Sequence, residues 1–181
     1  MKRALLYTQS NRTGVEDIRD YQPVIHCYAD ADWGGDPDTR RSTTGYIIKL
    51  DGNTIGWGTK QQHATGLSTA EAEYYALTEA AKEALWLRQF MSEILDRQID
   101  TIPTAILYTD NQAAQVLTSN DQFHTRMKHV DIRYHFVREA VESKTIKIEW
   151  IPTEEQQADV LTKSVSRVTF DYLTSKIMQA Q

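Results

Sequence analysis

The sequence predicts an α/β fold in which helices cover a mixed sheet. Three strand-like segments come first, at 24–32, 44–50 and 54–59, and a tight turn between the last two makes them antiparallel neighbours. Two further strand-like segments, at 105–109 and 146–151, alternate with helical segments, as in β-α units. The element order βββ-α-β-α-α-β-α therefore predicts a meander followed by alternating strands and helices.

Helical patterns and one start signal complete this prediction. The predicted helices cover five segments: 69–95, 111–117, 130–143, a short one around 158–161, and 166–181. Ser68, with Glu71 three residues later, forms a capping box that marks the start of the long helix. Residues 119–128 are predicted to be a polar loop. The chain shows no internal repeat and no low-complexity tract.

The composition is that of one globular domain. The chain has 181 residues and a mass of 20.8 kDa, with 40% hydrophobic and 25% charged residues. Its single cysteine, Cys27, excludes an intramolecular disulfide, and we expect a reducing compartment. No apolar run approaches the length of a transmembrane helix. The net charge of −5 does not favour nucleic acid as a partner, although binding depends on where the charges lie.

Several acidic residues lie where a strand ends or a helix faces the sheet. Asp30 and Asp32 share one face of the first strand, because side chains alternate along a strand. Asp110 follows the fourth strand, at a junction where ligands gather in α/β sheets. Asp159 lies in the short helix after the last strand. The alternation of side chains does not choose between Asp30 and Asp32.

The long helix adds a carboxylate on the side predicted to face the sheet. Glu73 lies on a stripe with Ala76, Leu77, Ala80, Ala84, Leu87 and Met91. Glu71 lies about 200° away, on the predicted solvent side. That side also carries Thr78, Lys82 and Gln89. Because a buried carboxylate is costly unless it is paired or binds metal, Glu73 is the candidate, and the helix cap explains Glu71.

Converging carboxylates without histidine or cysteine suit hard cations. Magnesium and manganese prefer oxygen ligands, and two such ions about 3.5–4 Å apart can clamp a phosphodiester during hydrolysis. One ion then activates the attacking water, and the other stabilises the leaving 3′ oxygen. The alternative is a set of unrelated surface acids, and the spacing alone leaves both interpretations open.

Six motifs occur along the chain in an order that resembles one known family. They are YADADWGG at 28–35, RSTTGY at 41–46, STAEAEY at 68–74, TDNQA at 109–113, KHVDIRYH at 128–135 and ADVLTK at 158–163. Together they resemble the ribonuclease H domain of copia-type (Pseudoviridae) LTR retrotransposon Pol polyproteins. The resemblance runs from about residue 24 to 165, and six motifs in order make it highly specific.

The resemblance implies a ribonuclease H-like fold, with three antiparallel strands and then parallel β-α units in a five-stranded sheet. It implies a two-metal-ion endoribonuclease that cuts the RNA strand of RNA–DNA hybrids during reverse transcription, leaving 3′-hydroxyl and 5′-phosphate ends. The resemblance implies that the family's four acidic residues, which bind the metals and are catalytic, correspond here to Asp30, Glu73, Asp110 and Asp159. Two Mg²⁺ ions, or Mn²⁺ in their place, are the implied cofactors. The resemblance thus favours Asp30 over Asp32.

The resemblance also implies an organisation and a location. Residues 1–22 resemble a stub of the upstream reverse transcriptase connection with its linker, and 23–181 form the ribonuclease H domain. That upstream reverse transcriptase domain is then a partner, no membrane is involved, and the expected location is the cytoplasm, in virus-like particles.

One departure concerns the loop before the last acidic helix, which carries a histidine in cellular and retroviral relatives. Here 152–157 has none, so Glu154, Glu155, a histidine from elsewhere or water alone takes its place.

An acidic protein needs a local basic surface to hold a nucleic acid. Basic residues and histidines cluster between 124 and 138, and the predicted phosphate contacts are Arg126, Lys128, His129 and Arg133. By resemblance, Ser68, Thr69 and Gln112 contact the substrate near the metals. The helix start at Ser68 and Thr69 suits a phosphate. Each assignment has an alternative: the basic stretch is then an ordinary solvated helix face, and Ser68 is only a helix cap. A zinc site at the histidines of the basic stretch is a weaker alternative.

Two rival functions share this fold. A polymerase connection module would bind without catalysis and lacks the acids, so the complete tetrad speaks against it. A DDE-type integrase or resolvase is the second rival, and the motifs at 109–112 and 158–161 speak against it, as does the absence of a zinc-binding N-terminal region. The sequence therefore predicts a catalytic ribonuclease H.

Overall fold

The fold was analysed in a computed structural model that describes residues 20–62, 68–112 and 128–178, without the side chains of 128–131. The strands are β1 (Ile25–Asp32), β2 (Thr43–Leu50), β3 (Asn53–Gln61), β4 (Ala105–Thr109) and β5 (Ile146–Trp150). The helices are α1 (Thr69–Ile94), α2 (Lys128–Glu142), α3 (Asp159–Thr162) and α4 (Arg167–Met178). Single 3₁₀ turns lie at Ile99–Thr101 and Thr153–Glu155.

The strands form one five-stranded sheet in the order β3-β2-β1-β4-β5. β1 pairs antiparallel with β2, and β2 pairs antiparallel with β3, which confirms the predicted meander. β4 pairs parallel with both β1 and β5. The predicted mixed sheet is therefore confirmed. Its parallel half brings the carboxyl ends of β1 and β4 side by side, where open α/β sheets bind ligands.

α1 packs on the sheet through the predicted stripe. All seven stripe residues, from Glu73 to Met91, are buried. Thr78 was placed on the solvent side, and that prediction is wrong because its side chain is only 1% exposed. α1 packs against α2 as well as the sheet: the Tyr74 ring stacks on Tyr134 at 5.5 Å, and Thr78 lies one turn further along the same side. A helix with two packed neighbours buries more than one stripe.

The four tryptophans all have large exposed fractions. Trp57, Trp86 and Trp150 are expected in the core when the sequence is read alone, but they are 58%, 59% and 43% exposed. For Trp33 the sequence leaves two interpretations open, stacking on a sugar or base and a core position, and its 48% exposure excludes the core position. Trp57 lies on the edge strand β3, and Trp86 lies off the buried stripe of α1. The contact between α1 and the sheet contains many small side chains, and the fully buried alanines include Ala29, Ala72, Ala76, Ala80, Ala81 and Ala84.

Some predictions fall on residues outside the described ranges. They are the helix at 111–117 beyond Gln112, the loop at 119–128 up to residue 127, and the upstream stub up to residue 19. The division between residues 22 and 23 therefore stays a prediction. Within the described ranges, no helix combines the length and the apolarity needed to cross a membrane.

Candidate metal centre and nucleic-acid interface

Three predicted carboxylates converge where β1, β4 and α1 meet. Asp30 lies near the end of β1, Asp110 directly follows β4, and Glu73 lies in the second turn of α1. One oxygen from each lies within 4.8 Å of the others. Ser68 fixes the register of Glu73, because its Oγ accepts the Glu71 backbone N–H at 3.2 Å and starts the helix there. The helix-face argument for Glu73 thus agrees with the geometry, and the start of α1 confirms the predicted cap.

Two of these carboxyl groups are almost fully removed from water. Asp30 is 1% exposed and Glu73 is 5% exposed. Burial, followed by the charges of Asp30 and Asp110, raises the pKa of Glu73 from its usual 4.5 to about 9. Burial also raises the pKa of Asp30, and the Asp110 charge adds to that rise. Without a cation, this arrangement disfavours simultaneous ionisation of the three groups.

The donors fit a hard divalent cation. All three groups offer carboxylate oxygens, which Mg²⁺ and Mn²⁺ prefer. Oε2 of Glu73 is buried and accepts no hydrogen bond from any described residue. A buried anionic oxygen without a donor is costly, and a metal ligand is one of the few arrangements that remove this cost. The site is therefore chemically suited to a divalent cation.

The fourth predicted acid, Asp159, stands beside this cluster rather than in it. Asp159 begins α3, is 3% exposed, and shares the Lys163 ammonium with Asp30. Its Oδ1 lies 2.9 Å from Nζ of Lys163, which also lies 3.6 Å from Oδ1 of Asp30. The contact between the Lys163 ammonium and Asp159 is an ion pair. Burial, then the Asp30 charge, raises the pKa of Asp159, while Lys163 opposes that rise.

A glycine on β2 allows α3 to lie close to Asp30 of β1. Gly45 pairs with Asp30 in the sheet, and a Cβ built on it would lie 2.6 Å from Thr162 Cγ2 and 3.3 Å from the Ala158 carbonyl oxygen. No larger residue fits without moving α3. The close approach also lets the Thr162 hydroxyl donate a hydrogen bond to Asp30.

Asp110 is held by the segment that follows β5. Thr153 Oγ1 donates to Asp110 Oδ2 at 2.8 Å, and Trp150 Nε1 donates to the Asp110 carbonyl at 3.0 Å. This segment contains residues 152–157, where the resemblance predicts a histidine and the sequence has none. Glu155 is engaged elsewhere, since hydrogen bonds from Lys176 and Tyr172 lower its pKa. Glu154 is exposed and remains the freer of the two acids.

The predicted substrate contacts are less completely described. Ser68, Thr69 and Gln112 are exposed near the start of α1 and the end of β4, beside the acidic cluster. The Arg133 guanidinium lies over the Tyr75 ring, 3.8 Å from its centroid. Lys128 and His129 lie in the first turn of α2, and their side chains fall outside the described part of the chain.

Sequence reasoning missed the residues that hold the acids in place. Thr153 and Thr162 hydrogen-bond Asp110 and Asp30, and neither stands out in the sequence. Lys163 is the most consequential omission, because it brings a positive charge to the cluster. The sequence does carry a signal for it: Lys163 follows Asp159 by four residues, the usual spacing of an ion pair along a helix, although the predicted helix ends before Lys163.

Comparison with known proteins finds homologues among transposon polyproteins. The chain is 43% identical over 149 residues to the retrovirus-related Pol polyprotein from transposon TNT 1-94 of Nicotiana tabacum, which covers 82% of the chain and 11% of that protein. It is 40% identical over 153 residues to the polyprotein from transposon RE2 of Arabidopsis thaliana, covering 84% and 10%. The chain thus spans about a tenth of these relatives. No family model matches it.

Solved structures with the same fold are ribonuclease H domains. LC11-RNase H1 in complex with an RNA/DNA hybrid superposes with a TM-score of 0.56 and 18% identity over 76% of this chain and 93% of that one. The foamy viral protease-reverse transcriptase in complex with an RNA/DNA hybrid gives a TM-score of 0.51 and 12% identity, covering 92% and 22%. Identities this low establish the fold alone.

Sequence and fold thus point to one family. The relatives are copia-type Pol polyproteins of plant transposons, and the shared architecture is that of ribonuclease H. The predicted resemblance, made from six motifs, is confirmed by both comparisons. The chain is a homologue of one segment of copia-type Pol polyproteins, and that segment has the ribonuclease H fold.

Proposed function

We propose that this chain is a metal-dependent endoribonuclease that cleaves the RNA strand of RNA–DNA hybrids during retrotransposon reverse transcription. The observation that carries the proposal is the convergence of Asp30, Glu73 and Asp110 within 4.8 Å at the end of the parallel strands. The ribonuclease H fold and the Pol homologues supply the substrate class. Asp159, which shares the Lys163 ammonium with Asp30, completes the proposed tetrad.

The residues of the cluster have distinct parts in this proposal. When bound, two Mg²⁺ ions, or Mn²⁺, would activate a water and stabilise the leaving oxygen, giving 3′-hydroxyl and 5′-phosphate ends. Asp30 and Glu73 are both buried, so they would hold the cations on the side that faces the protein interior and keep bulk water away from that side. Asp110 is only half-buried and faces the open side, where Thr153 fixes its orientation. Glu154 is the candidate for moving a proton at the position of the missing histidine.

The hybrid would be held by exposed groups around the cluster. Ser68 and Thr69 present the N-terminus of α1 to a phosphate, and Gln112 can reach the minor groove, where 2′-hydroxyls mark RNA. Arg133, stacked on Tyr75, and the neighbouring Lys128 and His129 are the proposed phosphate contacts on α2. Since the net charge is −5, affinity should depend on these few contacts and fall with salt.

The wider context is proposed from the relatives. The chain matches about a tenth of polyproteins named as Pol, and one structural neighbour is a protease-reverse transcriptase solved with a hybrid. We therefore place residues 1–22 as the end of an upstream reverse transcriptase connection, with that domain as the partner. Virus-like particles in the cytoplasm are the proposed location. A non-catalytic connection module remains the alternative, and the acidic cluster argues against it.

Cleavage of end-labelled substrates tests the proposal. An RNA–DNA hybrid, duplex RNA and duplex DNA of one sequence would be incubated with the protein in Mg²⁺ and in EDTA. The expected result is cleavage of the RNA in the hybrid alone, and only with Mg²⁺. Cleavage in EDTA would overturn the metal proposal. Hybrid binding without cleavage would favour the connection module.

A further inference from the structure

A lysine side chain occupies the side of the acidic cluster where Asp159 lies. Nζ of Lys163 is 2.9 Å from Asp159 Oδ1 and 3.6 Å from Asp30 Oδ1. These two carboxylates are 4% and 1% exposed, whereas the lysine side chain is 34% exposed. The ammonium thus reaches buried acids from a partly open position.

The backbone of Lys163 is held by a hydrogen bond, whereas its side chain is partly exposed to solvent. Lys163 caps α3, and its backbone N–H donates to the Asp159 carbonyl at 3.1 Å. The same short helix supplies Asp159 at its start and Thr162 at its end. The ammonium can therefore leave the carboxylates by side-chain rotation alone, without disturbing the segment that holds Asp159.

The charges explain why a lysine is stable here. Burial lowers the pKa of Lys163, but the nearby carboxylates, led by Asp30, outweigh it and raise the pKa. The ammonium balances part of the negative charge that Asp30 and Asp159 bring together. Among the described residues, no basic side chain lies within ion-pair distance of Glu73 or Asp110, and the Lys163 charge acts on them only at longer range.

We propose that Lys163 is an internal counter-ion that competes with a divalent cation for the carboxylates of Asp30 and Asp159. The inference rests on the proposed metal site. In the metal-free protein the ammonium stabilises the pair of acids and keeps Asp159 beside the cluster. Cation binding on this side then requires the ammonium to rotate toward solvent. Lys163 is therefore a positioning residue that weakens metal affinity and stabilises the metal-free fold.

The affinity of Mn²⁺ alone, measured by electron paramagnetic resonance of the free ion, tests this competition. Lys163→Met removes the charge but keeps most of the side chain. Lys82→Met is the matched control, because Lys82 is paired with Glu79 at 2.7 Å on the exposed side of α1. If the ammonium holds the carboxylates about nine-tenths of the time, the apparent Kd is about tenfold weaker than that of the open site.

The expected result is therefore an up to about tenfold lower Kd for Lys163→Met, with Lys82→Met unchanged from wild type. In EDTA, Lys163→Met should have a lower Tm than the control variant. Equal Kd values in the three proteins would overturn the role of Lys163 and leave the metal site intact. Failure of Mn²⁺ to bind any of them would overturn the metal site itself.

A second measurement uses the unaltered protein, in case Lys163→Met does not fold. Reductive methylation followed by mass spectrometry reports how accessible each lysine amine is. Mg²⁺ should increase the methylation rate of Lys163 several-fold and leave Lys82 unchanged. An unchanged or slower rate at Lys163, with Mg²⁺ bound, would contradict the proposal.

Discussion

Glu73→Gln should remove a pH dependence from the stability of the metal-free protein. The folded state holds the Glu73 proton up to a pKa of about 9, whereas the unfolded chain releases it near the usual 4.5. Between these two values the folded state binds one more proton, so its stability falls as pH rises. Glutamine keeps the shape of the protonated acid but has no proton to lose.

The size of the effect follows from proton linkage. One bound proton of difference costs about 1.4 kcal/mol per pH unit, so the wild type should lose up to about that much between pH 7 and 8. For a domain of this length the loss corresponds to a Tm lower by about 3–5 °C. The variant should lack this fall. Burial lowers the pKa of Lys49 to about 8, but that group contributes equally in both proteins.

Thermal unfolding in EDTA at pH 7.0, 7.5 and 8.0 measures the difference between the two proteins. Saturating Mg²⁺ should raise the Tm of the wild type by mass action and remove most of its pH dependence, because the cation favours the carboxylate. Parallel pH profiles for wild type and Glu73→Gln would refute the inference that Glu73 is buried in its protonated form in the metal-free protein.

Three further predictions concern the surroundings of the cluster. Gly45→Ala should lower the free energy of unfolding, measured in urea, by about 1–3 kcal/mol and should also lower cleavage, because the added Cβ lies 2.6 Å from an atom of α3. Gly56→Ala is the control: its added Cβ has its nearest contact at 3.8 Å, so neither quantity should change. Arg133→Gln should raise KM for the hybrid more than it lowers kcat, and flatten the plot of log affinity against log salt by about one unit, unlike the exposed Arg167→Gln. Asp110→Asn should reduce cleavage by orders of magnitude while the Tm in EDTA stays the same or rises.

The periodicity of the sequence was sufficient to find Glu73 but not to choose between Asp30 and Asp32. Helical spacing defines which side of α1 faces the sheet, and Glu73 is the acid on it. Along β1 both aspartates share a face, but Asp30 is the one that converges with Glu73 and Asp110 and that α3 approaches. These contacts join residues that are far apart in the chain, so no local pattern predicts them.

The wrong predictions have the same origin. Reading Trp57 and Trp86 as core residues assumes that large apolar residues fill the core, but Trp57 lies on the edge strand β3 and Trp86 lies off the buried stripe of α1. Thr78 was placed in solvent because a single packed face was assumed for α1, and α2 covers a second one. Each error concerns which helices and strands become neighbours in the fold. The order of these elements along the sequence does not specify that.

A matched pair of helix variants tests the central claim most directly. Glu73→Gln and Glu71→Gln change the same residue type, two positions apart on α1, but only Glu73 belongs to the cluster. Single-turnover cleavage of a labelled hybrid in Mg²⁺ should fall by orders of magnitude in Glu73→Gln. It should stay near wild type in Glu71→Gln, which costs at most about 1 kcal/mol of stability at the cap. Loss of cleavage in Glu71→Gln together with full activity in Glu73→Gln would contradict the proposed metal centre.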